Sequence, residues 1–115
     1  MIQFEEYKMR EEFDLTDRSL QKIVNTISVI IDVLFEAKTT ITSVFRDDPD
    51  SVHYYYRAVD IRSRELTSRQ CQKLVTVVNT IFPYGKGRFE TMLHHDAGSG
   101  WHFHVQVKSD GDAEG

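Results

Sequence analysis

A chain of 115 residues has room for one domain with a single modest core and not for two. Its composition, 40% hydrophobic and 28% charged, is too apolar for a disordered chain, and its net charge of -4 argues against wrapping a phosphate backbone, so nucleic acid is not an expected partner. The lone cysteine, Cys71, excludes an intramolecular disulfide and fits a reducing birthplace.

In chain order, the opening MIQFEEYKMREEFD lacks a basic stretch followed by an apolar run, so synthesis in the cytoplasm without a signal peptide is expected. Residues Met1 to Phe13 are acidic and spiked with aromatics; a short helix is one reading, and the pattern does not decide it. From Thr16 to Glu36, apolar residues at Leu20, Ile23, Val24, Ile27, Ile30, Ile31 and Leu34 carry the rhythm of a helix with one buried stripe, with Asp14 or Thr16 as its cap. The longest mostly apolar window, Ile27 to Phe35, is far short of the roughly 20 residues a membrane span needs, so no membrane segment is expected. The β-branched run after Lys38 predicts a strand ending near Arg46, and YYYRAVDIR, Tyr54 to Arg62, predicts a second. Thr67 and Gln70 form a candidate capping box for a helix from Ser68 to Phe82, which puts Cys71 on a buried stripe as an inert thiol. Pro83, Gly85 and Gly87 end that helix. Two further strands should flank the loop AGSG, and in the second the residues alternate: Trp101, Phe103, Val105 and Val107 on one face, His102, His104 and Gln106 on the other. The order of elements predicts an α+β domain over residues 1–108, a small antiparallel sheet with two main helices packed against it. The tail 109–115, SDGDAEG, offers nothing to bury and is expected to be disordered.

The residues suited to chemistry are histidines and carboxylates. Four of the five histidines lie between His94 and His104, and the fifth, His53, precedes Asp60 by seven residues. That odd spacing puts His53 and Asp60 on opposite faces of a straight strand, so they converge only if His53 lies in a bend. Read by spacing alone, an HxH pair on a strand is more often a solvated face than a metal site, whereas zinc favours this set of ligand types with one position left open.

The run SVHYYYRAVD, Ser51 to Asp60, resembles the SxHxxGxAxD signature of the D-alanyl-D-alanine carboxypeptidase and dipeptidase family of zinc peptidases, which includes phage endolysins and shares its metal fold with the hedgehog signalling domain. Ser51, His53, Ala58 and Asp60 match, and Tyr56 stands where the signature has glycine. TSVFR, Thr42 to Arg46, is similar to the family's arginine-bearing strand, and His102-Phe-His104 is similar to its closing HxH. The resemblance spans Thr39 to Val107. It implies that His53, Asp60 and His104 hold Zn2+, that His102 aids proton transfer or stabilises the oxyanion, and that Arg46 and Ser51 meet the substrate. The family's carboxylate base lies a few residues before the last ligand, but Trp101 and Gly98 occupy the places three and six before His104. Asp96 is the nearest acid and Glu90 the reserve. Arg46 reads equally as a surface residue paired with Asp47, Asp48 or Asp50, and Ser51 as a turn residue; His94 and His95 could line the cleft, with one turned away by strand alternation.

The resemblance therefore implies a zinc metallopeptidase, of D,D-carboxypeptidase or L-alanyl-D-glutamate endopeptidase type, cutting a peptidoglycan stem peptide. A phage or prophage origin follows, with release to the cell wall by a phage delivery system or carriage in the virion. The competing expectation is a non-catalytic zinc-binding or structural module of the same fold.

Overall fold

The structure, a computed structural model, describes residues 2–108 except 86, 88, 97 and 99. The expected tail 109–115 lies outside the described residues. The N-terminal stretch makes a short strand, β1 (Ile2–Phe4), and a short helix, α1 (Lys8–Asp14), which buries Met9 and Phe13. Thr16 folds back on the end of α1, its hydroxyl donating to the Phe13 carbonyl at 2.6 Å. With Thr16 engaged there, the following helix α2 (Arg18–Phe35) takes Asp17 as its N-cap residue, with no side-chain cap bond, rather than Asp14 or Thr16. Its buried residues, Leu20, Ile23, Val24, Ile27, Ser28 and Ile31, recur three and four apart and so form one stripe, while Leu34 at the far end is exposed.

Strand β2 (Thr39–Ser43) leads through a loop to a 3₁₀ turn, Val52–Tyr55, and then to β3 (Ala58–Arg62). The strand predicted from Tyr54 thus begins four residues late. Tyr56 is the cause: its backbone is left-handed, φ 58° and ψ 33°, which no extended strand accommodates. Helix α3 (Ser68–Ile81) starts with the predicted capping box, in which the Thr67 hydroxyl accepts from the Gln70 amide and the Gln70 side chain accepts from the Thr67 amide. A hairpin of β4 (Met92–Asp96) and β5 (Trp101–Gln106) follows.

The five strands form one sheet in the order β1-β2-β3-β5-β4. β1 runs parallel to β2 and every other neighbour is antiparallel, so the sheet is mixed rather than purely antiparallel, and among the described residues the short α1 joins the two main helices, α2 and α3. The correction has a topological reason: a parallel pair needs a long crossover, and α1 and α2 supply it between β1 and β2. The α+β class stands. No helix among the described residues is long and apolar enough to cross a membrane.

Strand alternation then divides the sheet. Ile41, Ile61, Val59, Phe103, Val105 and Met92 are completely buried and join the α2 and α3 stripes in one core. α3 also holds the edge strand β4: the Asn79 side chain accepts from the Met92 amide at 2.8 Å and donates to its carbonyl at 2.9 Å, pairing groups that an edge leaves open. The opposite face carries Asp60, Arg62, His95, His102 and His104. There Asp60 pairs with His104, and Arg62 with His102 and, through it, His95.

Candidate metal centre

Asp60 is the hub. Its Oδ1 lies 3.2 Å from His53 Nε2, 3.1 Å from His104 Nδ1 and 3.8 Å from His102 Nε2, and its Oδ2 accepts from Arg46 at 3.0 Å. Asp60 and His104 meet because they are directly paired across β3 and β5. His53 reaches them because the 3₁₀ turn and the left-handed Tyr56 bend the chain just before β3, the bend that the seven-residue spacing required. The Tyr56 ring stacks on Phe45 with centroids 5.1 Å apart, a contact that offsets the cost of about 1–2 kcal/mol for a left-handed non-glycine residue. Arg46 follows the end of β2, where the register against β3 shifts between Ile41 and Ser43 and sets Ser43 opposite Asp60.

The tautomers follow from what stands behind each ring. His53 Nδ1 donates to the Val44 carbonyl at 2.8 Å, so in the neutral ring Nε2 presents a bare lone pair. That nitrogen is buried and makes no hydrogen bond; its 3.2 Å approach to Asp60 is contact between two acceptors. Gln106 fixes His104 in the same way. Its amide nitrogen donates to the Glu90 carbonyl at 2.9 Å, which turns its oxygen to accept from His104 Nε2 at 3.2 Å and leaves His104 Nδ1 bare. His102 Nδ1 donates to the Gly100 carbonyl at 3.1 Å, so its Nε2 also points a lone pair toward Asp60.

Lone pairs gathered around a carboxylate repel unless positive charge sits among them. Either the imidazoles are protonated or a cation takes the protons' place. Burial by itself would raise the Asp60 pKa, but His104 and His53, when protons sit on the nitrogens that face it, hydrogen-bond to it and place charge beside it, and so hold the carboxyl well below the usual range. His53, Asp60 and His104 each offer a ligand atom within 4.8 Å of the others and could hold a metal ion. Each ligand imidazole also has a partner behind it, the arrangement that orients metal-binding histidines.

The other expected residues are placed as follows. Asp96 ends β4 opposite Trp101, in register with the core face rather than the histidine face, and its Oδ1 accepts from the amides of Gly98 at 2.8 Å and Gly100 at 3.1 Å. It is not gathered with the three ligands. Glu90 accepts from Asn79 at 3.3 Å and contributes its backbone carbonyl to Gln106. The Ser51 hydroxyl caps the 3₁₀ turn by accepting from the His53 amide at 3.2 Å. His94 is the histidine turned away, 3.0 Å from the Ser63 hydroxyl, while His95 faces the site with its ring 4.8 Å from that of His102 and its Nε2 buried without a partner. Burial first, and then the neighbouring His102, push both His94 and His95 toward the neutral form. Gln106 and the Val44 carbonyl were not among the expected site residues; the i, i+2 relation of His104 and Gln106 was the available signal for the first, and nothing local signals the second. Protein-family models and curated proteins offer no match to this chain.

Proposed function

We propose that this chain is a zinc-dependent metallopeptidase that cleaves an amide bond of a peptidoglycan stem peptide, with a hedgehog-type zinc peptidase fold and a phage or prophage origin. The observation that carries the reading is the convergence of two bare imidazole nitrogens and an ionised carboxylate, each imidazole held in its metal-binding tautomer from behind. Tetrahedral zinc ligands stand about 3.3 Å from one another, close to the 3.1 and 3.2 Å that separate Asp60 from the two rings. The resemblance of Ser51 to Asp60 and of His102 to His104 to the zinc peptidases supports the same assignment. When bound, zinc supplies a Lewis acid for the scissile carbonyl and lowers the pKa of a water to about 7. The chain's own residues do the rest. His102 Nε2, unprotonated in the neutral ring, stands beside Asp60 and takes up or returns a proton. Arg46 balances the Asp60 charge and presents its remaining donors to the substrate.

A second reading, a zinc-binding module without turnover, is favoured by one feature: the Asp96 carboxylate is engaged by turn amides, and among the described residues no other acid is gathered with His53, Asp60 and His104. One set of measurements separates the two. Protein purified without added metal should contain zinc by elemental analysis, chelator should abolish release of amino groups from purified peptidoglycan, and added zinc should restore it. Zinc content without turnover supports the module. Turnover that survives His53→Ala with His104→Ala rules out this site.

A further inference from the structure

The outward face of α2 carries an uncommon order of charge. Arg18, Lys22, Asn25, Val29, Asp32 and Glu36 are all exposed and recur at alternating spacings of four and three, so they form one seam along about 27 Å of helix, opposite the buried stripe. Both cations stand toward its N-terminal end and both carboxylates toward its C-terminal end. That order is unfavourable within one chain. A helix dipole favours acids in the first turn and bases in the last, and α2 has neither. Arg18 with Lys22, and Asp32 with Glu36, are also like-charged pairs four residues apart, which destabilise a helix on its own. The side chains of these four residues make no ion pair or hydrogen bond among the described residues. Asp17 and Lys38, just beyond the two ends, carry the opposite signs, yet neither pairs with the four.

An antiparallel copy of the same helix reverses every one of these conflicts. Turned end for end about a two-fold axis level with Ile27, it sets Arg18 opposite Glu36, Lys22 opposite Asp32 and Asn25 opposite Val29, and the axis makes each pairing twice. A parallel copy would set like charge against like. Apolar surface lies in the same place: Val29 is 61% and Val33 67% exposed, and beside the seam runs a groove of ≈ 520 Å³ whose lining includes Val29, Ile2, Phe4 and Phe13. We propose that α2 is a self-association surface, pairing antiparallel with α2 of a second copy of this chain through reciprocal Lys22–Asp32 and Arg18–Glu36 contacts. The inner stripe of α2 packs on the core face of the sheet, so pairing through its outer seam leaves the histidine face open, and the proposal is independent of the hydrolase reading.

Sedimentation equilibrium of the full chain tests it. At low ionic strength the parent protein should pass from monomer to dimer below about 1 mM, the weak association expected of a contact smaller than a standard interface. Added salt should shift it back toward monomer. Because the axis repeats every substitution, Lys22→Glu turns two attractive pairs repulsive and should weaken dimerisation about tenfold or more, and Asp32→Lys should do the same. An equimolar mixture of the two variants recreates both pairs and should associate as well as the parent, which also shows that each variant is folded. The protein carrying Lys22→Glu and Asp32→Lys together should likewise self-associate. A parent chain that is monomeric at about 1 mM, single variants that dimerise as well as the parent, or a mixture that stays monomeric overturns the proposal.

Discussion

The two faces of β3, β5 and β4 are built from the same strands and share every backbone hydrogen bond, yet they are opposites. One face presents Val59, Ile61, Phe103, Val105 and Met92, all completely buried beneath α2 and α3. The other presents Asp60, Arg62, His95, His102 and His104, groups that could not be covered by a helix without protonation or a partner. The contrast teaches that period-two alternation lets six residues of β5 serve stability and chemistry at once, each side chain committed to one. The core face supplies the rigidity; the histidine face relies on it to hold lone pairs close enough to repel.

The largest effect should come from the core face. Phe103→Ala removes a fully buried ring between the two metal-side histidines and should cost about 3–5 kcal/mol of stability in urea unfolding. If zinc affinity, measured where the variant is still folded, also falls sharply, the two faces are less independent than alternation suggests. Gln106→Leu tests the other side. It removes the acceptor that fixes the His104 tautomer, so zinc affinity by calorimetry should drop about 10- to 100-fold, with the circular dichroism of the fold retained. Unchanged affinity would mean that the ring is oriented by Asp60 alone. The smallest effect belongs to the bend that joins the faces: Tyr56→Gly relieves a left-handed tyrosine but loses the stacking on Phe45, two opposed contributions of about 1 kcal/mol each. Its melting temperature should stay near that of the parent chain, while a large loss would show that the Tyr56 ring anchors the turn that carries His53.

Much of this was readable from local pattern. The stripes of α2 and α3, the Thr67 and Gln70 capping box and the alternation of β5 all depend on residues within a few positions of one another. What was not readable depends on contacts far apart in the chain. β1 becomes a strand only because β2 offers it a parallel edge after a crossover of two helices, and three residues with no amphipathic period give no sign of that. Asp96 was attractive as a base because it is the nearest acid in sequence to His104. Its register opposite Trp101, and the amides of Gly98 and Gly100 folding onto its carboxylate, turn it to other work.

The sequence by itself determined the types and order of the candidate ligands, the faces on which His102, His104 and Gln106 lie, and the need for a bend between His53 and Asp60, because periodicity and chain stereochemistry act over short spans. Only the tertiary structure decided which nitrogen of each imidazole is bare, since that depends on the Val44 carbonyl and on a Gln106 amide oriented by Glu90, groups brought together by folding. A lone pair's direction is a property of its neighbours in space, and no pattern along the chain records it.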